Sequence, residues 1–346
     1  MKNSILIIGA GPAGIESAVT LKNLGYDVTL LEKENETNTN LRNKMLLFPD
    51  FSEAETLVRS IDDKLFENDI TPCFNTEVVH LEQKGTGWIA TDSNHKTYQA
   101  DAVLVATGYT PFDATRKEEY GYGIYNGVIT SLDLEEMFKK KNITNAFGET
   151  PKKVCFLQCV GSRDEKSGNN YCSKICCITA VKQAIELKKL SPETEVYIFY
   201  MDLRLWGQGY EELYREAQEQ FGIYFIRGRI SEAAATFDGK IQIKSEDTLM
   251  GLPLKMTTDL LVLMIGMEPS KGTKSLASQC NCEEEYGFLK TLNPILTDQK
   301  TNRTGLFAAG SCKRPMSIPD VLADARAASV EIDDHFSVAL SKIPVR

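Results

Sequence analysis

The sequence has no excess of basic residues: 39 lysines and arginines are outnumbered by 48 acidic residues, for a formal net charge of −9. Such a charge argues against nucleic acid as the main partner, because phosphate binding requires a basic surface. No apolar run approaches the roughly 18 residues that a membrane-spanning helix needs, and the first residues carry no export signal. We therefore expect no transmembrane segment and a cytoplasmic location.

Histidine is scarce as well. The three histidines, His80, His95 and His335, are scattered, and none has a sequence neighbour suited to a catalytic or metal-binding pair. Cysteine, by contrast, is abundant, with nine residues. Structural disulfides are rare in the cytoplasm. Metal binding or redox chemistry is therefore the leading explanation for any cluster of cysteines.

The length of 346 residues suits two domains, and the 42% apolar content is ordinary for a globular protein. An approximate internal repeat relates Asp101–Pro111 to Asp259–Pro269, since both have an acid, an apolar strand, a glycine and a proline at the same offsets. The repeat predicts an α/β fold of two dinucleotide-binding-type (Rossmann-like) units, the second inserted into the first. The predicted boundaries are 1–111 and 270–346 for the first domain, 112–150 for a connecting segment and 151–269 for the inserted domain.

A glycine motif at the start of the chain predicts a dinucleotide site. Gly9, Gly11 and Gly14 follow the apolar strand Ile5–Ile8 and open a helical pattern, and Glu32 closes the next strand. In this fingerprint the first glycine permits a tight turn, the second lets the backbone approach a pyrophosphate, and the third permits close helix–strand packing. The acid accepts hydrogen bonds from ribose hydroxyls.

Two later segments indicate that this dinucleotide is FAD. Val103–Gly108 resembles the second motif of flavoproteins with two dinucleotide folds, and Gly305–Gly310 resembles their late strand, which passes under the ribityl chain. That late motif usually continues with Asp, whereas Ser311 stands here, and its hydroxyl can still bind ribityl. The predicted FAD-binding residues are Gly9, Gly11, Pro12, Ala13, Gly14, Glu32, Lys33, Val78, Thr107, Gly108, Gly310, Ser311, Ile318 and Pro319.

The second unit lacks the glycine triplet that nicotinamide binding would require, and only Gly161 remains in the corresponding turn. Four cysteines surround that turn: Cys159, Cys172, Cys176 and Cys177. Thiolate-only ligation suits zinc or an iron–sulfur cluster. Buried structural cysteines, a zinc site and a dithiol–disulfide pair stay open as alternatives. The iron–sulfur interpretation is favoured, because adjacent cysteines are awkward for a zinc knuckle and a redox dithiol is more typically Cys-x-x-Cys.

Around these cysteines the chain resembles the A-type subunit of heterodisulfide reductase and its relatives. The resemblance is carried by Gln158–Asp164, Cys172–Cys177, Lys182–Ile185, Ile198–Arg204, Gly207–Glu211, Ile226–Arg229 and Ile318–Asp320. It implies an FAD-containing electron-transfer protein with a 4Fe–4S cluster bound by the four cysteines. It also implies exchange of electrons with partners that resemble the B- and C-type subunits, and not with free nicotinamide, and a homodimer is compatible with it.

This chain departs from the family at two points. It has no ferredoxin-like Cys-x-x-Cys-x-x-Cys-x-x-x-Cys run, and Asn38-Thr39 replaces the family's Gly-Gly after the ribose-binding acid. The short form is similar to the A-type subunits of two complexes, the soluble heterodisulfide-reductase-like complex of sulfur oxidisers and the quinone-interacting membrane-bound oxidoreductase of sulfate reducers. A complete flavin-bifurcating role for this chain alone is therefore not expected.

Two other function classes fit parts of the sequence. The first is a stand-alone NAD(P)H-dependent flavoprotein disulfide reductase that uses its cysteines as thiols, against which the missing second glycine triplet argues. The second is a non-catalytic scaffold that keeps FAD as a structural prop.

The remaining cysteines carry weaker expectations. Cys280 and Cys282 lie in a polar segment and are expected to be surface cysteines, with a redox-sensitive pair as the alternative, whereas Cys73 and Cys155 are expected in the core. Cys312 follows the ribityl motif, where a thiol could contact flavin or simply pack.

Overall fold

The computed structural model describes residues 2–341, with side chains described as far as Ser337. The chain forms two compact units, each built from separate stretches of sequence. Unit 1 comprises the chain up to Arg42, Thr56–Thr110 and the chain from Glu268 onward, and unit 2 comprises Asn43–Glu55 and Pro111–Met267. The predicted α/β fold of two dinucleotide-binding-type units, the second inserted into the first, is confirmed.

The strands and helices follow in chain order. The strands are β1 (Ser4–Ile8), β2 (Asp27–Leu31), β3 (Val78–Lys84), β4 (Gly87–Asp92), β5 (Thr97–Ala100), β6 (Ala102–Val105), β7 (Tyr109–Pro111), β8 (Val128–Thr130), β9 (Lys153–Val160), β10 (Glu195–Tyr200), β11 (Tyr224–Arg227), β12 (Glu232–Ala235), β13 (Ile241–Asp247), β14 (Leu252–Thr258), β15 (Leu260–Ile265), β16 (Met267–Pro269) and β17 (Leu306–Ala308). The α-helices are α1 (Pro12–Asn23), α2 (Thr39–Arg42), α3 (Ala54–Glu67), α4 (Ser131–Lys139), α5 (Cys176–Leu190), α6 (Tyr210–Glu219), α7 (Lys271–Gln279) and α8 (Ile318–Ser341).

Unit 1 is built on a four-stranded parallel sheet in the order β17-β6-β1-β2. The central strands β1 and β6 are almost continuously apolar and buried, as expected for parallel strands covered on both faces. Helix α1 follows β1 directly, and its start places backbone N–H groups at the carboxyl end of the sheet. Strands β3, β4 and β5 form a separate antiparallel sheet.

Unit 2 is built on a five-stranded parallel sheet in the order β11-β10-β9-β15-β8. The central strand β9 is buried from Val154 to Val160, and α5 follows it after a long loop. Strands β12, β13 and β14 form an antiparallel sheet. The domain boundaries stay a prediction; the segment 112–150 contains β8 and α4, and β8 is an edge strand of this unit's sheet.

No helix in the described part of the chain is both long enough and apolar enough to cross a membrane.

Candidate functional sites for flavin and for a metal cluster

The three glycines of the N-terminal motif have three different surroundings. Gly9 has a φ of 108°, and a Cβ there would lie 2.5 Å from the carbonyl oxygen of Ala106. A Cβ on Gly14 would lie 1.8 Å from the carbonyl oxygen of Gly9. Gly11 faces open space, since a Cβ there would meet no atom within 4 Å. Gly9 and Gly14 therefore allow the turn to pack closely against neighbouring backbone. The open space over Gly11, which we call the cradle, suits a pyrophosphate at the start of α1.

Glu32 lies beside this turn. One carboxylate oxygen accepts a hydrogen bond from the backbone N–H of Ala10 at 2.6 Å, and the other accepts from that of Glu34 at 3.0 Å. The side chain is buried, so the carboxylate has a fixed position beside the turn. Asn38 approaches the same turn, since its backbone N–H donates to the carbonyl of Ala10 at 3.0 Å. Its φ of 56° lies in the left-handed region, which asparagine tolerates better than most residues.

The other predicted FAD residues all lie in unit 1 as well. Thr107 follows β6, and its hydroxyl is 2.7 Å from that of Thr273. Gly108 has a φ of 63°, which favours glycine. Val78 begins β3 and is buried, whereas Lys33 points outward and pairs with Glu34. The remaining predicted residues form the start of α1, the turn after β17 and the start of α8: Pro12, Ala13, Gly310, Ser311, Ile318 and Pro319.

Sequence reasoning missed a charged cluster that supports the turn after β17. Asp324 on α8 accepts the backbone N–H of Gly310 and the ammonium of Lys313, and Lys313 also binds Asp298. Asp324 and Lys313 are both buried. Lys313 and Asp324 both follow the late glycine motif in the sequence. Their spacing matches no recognised motif, so the sequence alone did not indicate that they pair. Burial and pairing become evident only in three dimensions.

In unit 2, a bulge sets the position of Cys159. Strand β9 pairs with β15 from Leu157 opposite Leu263 to Val160 opposite Ile265, so β9 contains one extra residue over this stretch. Cys159 within it has a φ of 60°, in the left-handed region. Such bulges redirect a side chain and are frequent next to functional sites. Cys159 is thereby set apart from the regular alternation of the strand, close to the start of α5.

Cys159, Cys176 and Cys177 form a cluster in which the thiol of Cys176 is the common neighbour of the other two. Cys176 is hydrogen-bonded to both other thiols, and none of the three residues is more than 4% exposed. The hydrogen bond with Cys176 lowers the pKa of Cys177 to about 7, and it also lowers the pKa of Cys159. The same bonds raise the pKa of Cys176. The thiols of Cys159, on β9, and Cys177, in the first turn of α5, are thus the two that deprotonate most readily.

The fourth predicted ligand, Cys172, lies next to Arg163. The guanidinium of Arg163 interacts with Cys159 and Cys172 and donates to Asp202 at 3.0 Å. Cys172 is half-buried and accepts a hydrogen bond from the backbone N–H of Lys174 at 3.3 Å. Within residues 2–341, no three Cys, His, Asp or Glu side chains already surround a position suited to a metal ion. The structure therefore clusters three of the cysteines, and Arg163 interacts electrostatically with one of them, Cys159, and with the fourth, Cys172.

The turn after β9 differs from the one after β1. Gly161 has a φ of 73°, and a Cβ there would lie 2.1 Å from the ring of Phe112. The ring of Phe112 thus fills the space over Gly161, whereas the corresponding space over Gly11 is open. This packing opposes the approach of a pyrophosphate to the backbone at Gly161, which agrees with the missing glycine triplet.

The expectation that Cys280 and Cys282 lie at the surface is wrong. Their exposed fractions are 4% and 1%, and they pack in the apolar core of unit 1 with Cys312. The prediction failed because the charged neighbours in this polar segment turn outward while the two thiols fill the core. Burial raises the pKa of Cys280 to about 11 and that of Cys312 to about 12, so these thiols are unreactive. Cys155 is buried as expected, and Cys73 is half-buried.

Comparisons with known proteins agree with this description. A family model described as pyridine nucleotide-disulphide oxidoreductase matches residues 3–328. The A-type subunit of the H(2)/formate:CoB-CoM heterodisulfide,ferredoxin reductase of Methanococcus maripaludis is 39% identical over 323 residues, which cover 90% of this chain and 48% of that protein. The iron-sulfur A-type subunit of the CoB–CoM heterodisulfide reductase of Methanocaldococcus jannaschii is 40% identical over 311 residues, which cover 86% and 46%. The chain thus spans about half the length of these relatives.

Among solved structures, thioredoxin reductase from Lactococcus lactis matches with a TM-score of 0.69 and 19% identity, over 97% of this chain and 100% of that one. Thioredoxin reductase from T. acidophilum matches with a TM-score of 0.67 and 18% identity, over 98% and 100%. These likenesses show the fold. The resemblance to the A-type subunit of heterodisulfide reductase is confirmed by the curated relatives. The chain therefore belongs to the pyridine nucleotide-disulphide oxidoreductase family and is a flavin oxidoreductase related to the A-type subunit of heterodisulfide reductase.

Proposed function

We propose that this protein is an electron-transfer subunit that carries FAD in unit 1 and a 4Fe–4S cluster in unit 2. Cys159, Cys172, Cys176 and Cys177 would bind the cluster, and the predicted residues of unit 1 would bind FAD. The observation that carries the proposal is the clustering of three buried thiols around Cys176 at the turn after β9, where a second nucleotide-binding turn would otherwise lie. Bound there, the cluster would supply one-electron transfer and the flavin would link it to two-electron chemistry.

The residues around the thiols suit a cluster of negative charge. The N-terminal N–H groups of α5 and the guanidinium of Arg163 both offset the charge of thiolates. Gln158 precedes Cys159 and is 4% exposed, and neither polar atom of its side chain has a partner in the described part of the chain. An unpaired buried amide is costly. Its N–H groups are donors of the kind that cluster sulfurs accept.

The residues of unit 1 also suit the cofactor proposed for that unit, FAD. Gly11 leaves an open cradle at the start of α1, and Glu32 is held beside it by two backbone N–H groups. These groups would orient the pyrophosphate and the adenine-side ribose, respectively. The buried strands β1 and β6 exclude water from beneath the turn.

Metal and flavin analysis of protein reconstituted without oxygen tests the proposal. We expect one FAD and about four iron and four sulfide per chain, with a paramagnetic signal after reduction. Cys176→Ser and Cys177→Ser should lose the iron and keep the FAD. Cys155→Ser is the matched control, because this buried cysteine lies on the same strand as Cys159 and outside the thiol cluster. Protein that retains zinc and no iron would contradict the proposal.

The partners are inferred from the relatives, which are A-type subunits of heterodisulfide reductases. We propose partners that resemble the B- and C-type subunits, in sulfur or energy metabolism, and a homodimer remains part of the proposal, as does a cytoplasmic location. Co-purification from the native source, followed by mass spectrometry, tests these assignments. Purification of the chain without any iron–sulfur partner would argue against the complex.

A second candidate is a stand-alone NAD(P)H-dependent disulfide reductase. The family match and the lowered pKa of Cys177 beside Cys176 favour it. The ring of Phe112 against Gly161 opposes it, since it occupies the nucleotide approach. Anaerobic mixing with NADPH or NADH distinguishes the two: rapid bleaching of the flavin without any partner would support the reductase, and an unchanged flavin would support the electron-transfer role.

A further inference from the structure

The turn Gly310–Cys312 follows β17 and is held by a buried carboxylate from α8. One oxygen of Asp324 accepts the backbone N–H of Gly310 at 2.7 Å. The other accepts the ammonium of Lys313 at 2.7 Å and the side-chain amide of Gln299 at 2.9 Å. The exposed fraction of Asp324 is 9%. Asp324 therefore binds both ends of the turn at once.

The ammonium of Lys313 depends on this arrangement. It is 4% exposed and is surrounded by three acceptors, namely the carboxylate and carbonyl of Asp298 and the carboxylate of Asp324. Arg314 also donates two hydrogen bonds to the carboxylate of Asp298, at 2.8 and 2.6 Å. A buried charge that loses its partner is strongly unfavourable. The cluster thus fixes the turn in one position.

The same turn is adjacent to the nucleotide turn of β1 and α1. Gly310 has a φ of 75°, and a Cβ there would lie 2.9 Å from the Cβ of Ala13. Ala13 is in the first turn of α1, two residues after the open cradle at Gly11. Two helices therefore hold the backbone of Gly310, the residue before Ser311. Gly310 packs against Ala13 of α1 and donates its N–H to Asp324 of α8.

We propose that Asp324 is the positioning residue for the flavin half of FAD, and that it acts through the backbone of Gly310 on the orientation of Ser311. The inference rests on the proposed function, because it requires FAD in unit 1. The late motif that this segment resembles usually has an acid directly after the glycine, where Ser311 stands in this chain. Here the acid lies on the next helix and holds the turn, while a serine hydroxyl is left to contact the ribityl chain.

A comparison of FAD binding with ADP binding distinguishes this role from simple structural support. In the proposed site, FAD would reach the turn at Gly310 through its flavin half, whereas ADP carries the adenine half alone and would need only the Gly9–Gly14 turn and Glu32. Asp324→Asn removes one of the two charge-assisted pairings and leaves Lys313 short of an anionic partner. We expect its affinity for FAD to fall about tenfold or more, with the affinity for ADP nearly unchanged.

The matched control is Glu331→Gln, which breaks the ion pair between Lys300 and Glu331. This pair also joins α8 to the segment before β17, but it does not touch the turn. We expect it to alter the unfolding temperature without changing the binding of FAD or ADP, measured by fluorescence titration of apoprotein. The flavin absorption bands provide a second readout and should differ from the wild type only for Asp324→Asn.

The inference is overturned if Asp324→Asn binds FAD like the control, or if FAD and ADP weaken equally. If that variant does not fold, Gln299→Leu replaces it, because it removes one hydrogen bond from Asp324 and keeps the ion pair with Lys313. A selective loss of FAD affinity in Gln299→Leu supports the inference, and unchanged affinity overturns it. Wild-type protein that binds ADP and not FAD would instead refute the proposed function.

Discussion

Two glycines of one motif meet different surroundings, and this gives a prediction at the scale of single residues. Gly14→Ala places a Cβ against a backbone oxygen, so we expect the free energy of unfolding of the apoprotein to fall by several kcal/mol. Gly11→Ala has open space, and its apoprotein should unfold within about 1 kcal/mol of the wild type. Its affinity for both FAD and ADP should nevertheless fall, because the methyl group occupies the cradle.

Urea unfolding and nucleotide titration of the two variants measure these effects. Gly25→Ala is unsuitable as a control because its φ of 95° adds strain, whereas Gly272→Ala is suitable, since a Cβ at Gly272 would meet no atom closer than 3.8 Å. Equal stability losses for Gly11→Ala and Gly14→Ala would contradict the assignment of a cradle.

A second residue-scale feature is the buried charge of Glu186 in unit 2. The ammonium of Lys182 lies 2.8 Å from Glu135 and 2.6 Å from Glu186, and all three side chains are buried. Burial raises the pKa of Glu186 to about 7, against the opposing effect of Lys182. For Glu135 burial acts in the same direction, but Lys182 and Lys44 outweigh it and the pKa is lowered. The pKa values of the two carboxyls are thus driven apart.

The raised pKa of Glu186 predicts a pH dependence of stability. Between the ordinary carboxyl pKa and about 7, the folded state keeps a proton that the unfolded state has released, so stability decreases as the pH rises through this window. The side chain of Glu186→Gln does not titrate, so this variant does not lose stability in this way as the pH rises. From pH 5 to pH 8, the unfolding free energy of Glu186→Gln minus that of the wild type should therefore increase by about 2–3 kcal/mol.

Urea unfolding of apoprotein at the two pH values measures this difference. Glu136→Gln on the exposed face of α4 is the control, and its difference from the wild type should be the same at both pH values. A pH-independent difference for Glu186→Gln would contradict the assignment.

At the scale of secondary structure elements, the bulge in β9 gives a prediction about Cys159. A non-glycine residue in the left-handed region is strained by about 1–2 kcal/mol, and glycine avoids this strain. Cys159→Gly should therefore be more stable than Cys159→Ala by about 1 kcal/mol in metal-free protein. At Cys155, on the same strand with regular backbone, the order should reverse, because glycine weakens a regular strand by about 0.5–1 kcal/mol relative to alanine.

Thermal unfolding of the four variants tests this pair of signs. The same order at both positions would show that the backbone of Cys159 is not strained.

The elements also show what the sequence could and could not predict. Strand β1, helix α1 and strand β2 were predictable, because the apolar run, the glycines and Gly25 all act over short distances. The bulge was not, since nothing in Leu157–Val160 distinguishes a strand with an extra residue from a regular one. Its register is set by pairing with β15, about a hundred residues later.

At the scale of the whole molecule, each unit has its own apolar core, and the proposed cofactors lie in different units. We therefore expect saturating FAD to slow amide hydrogen exchange in the segments around Gly9–Glu32 and Gly305–Asp324. The core of unit 2, such as the peptide around Phe156, should be unaffected by FAD. Hydrogen-exchange mass spectrometry of cluster-free protein measures both. Protection that extends over β9 and β10 to the same degree would contradict a flavin site confined to unit 1.

The two-unit architecture was predictable from the internal repeat, because the repeated pattern of acid, strand, glycine and proline records two similar folds. The assignment of Asn43–Glu55 to unit 2 was not predictable. It depends on contacts between residues far apart in the chain, such as the backbone N–H of Met45 that donates to Glu135 at 2.9 Å. The support of the turn Gly310–Cys312 by Asp324 was not predictable either, because hydrogen bonds between a turn and a helix leave no periodic pattern in the sequence.

The position of β17 at the edge of the unit 1 sheet bears on how the chain is made. Strand β17 pairs with β6, and α8 binds α1 through the hydroxyl of Ser17, which donates to the carbonyl of Ala325. During translation these segments leave the ribosome after Met267, the last residue of unit 2. The cysteine-bearing unit is therefore complete in sequence while the flavin unit still lacks an edge strand and a helix. Under the proposed function, the sequence that would bind the cluster is therefore complete before the sequence that would bind FAD.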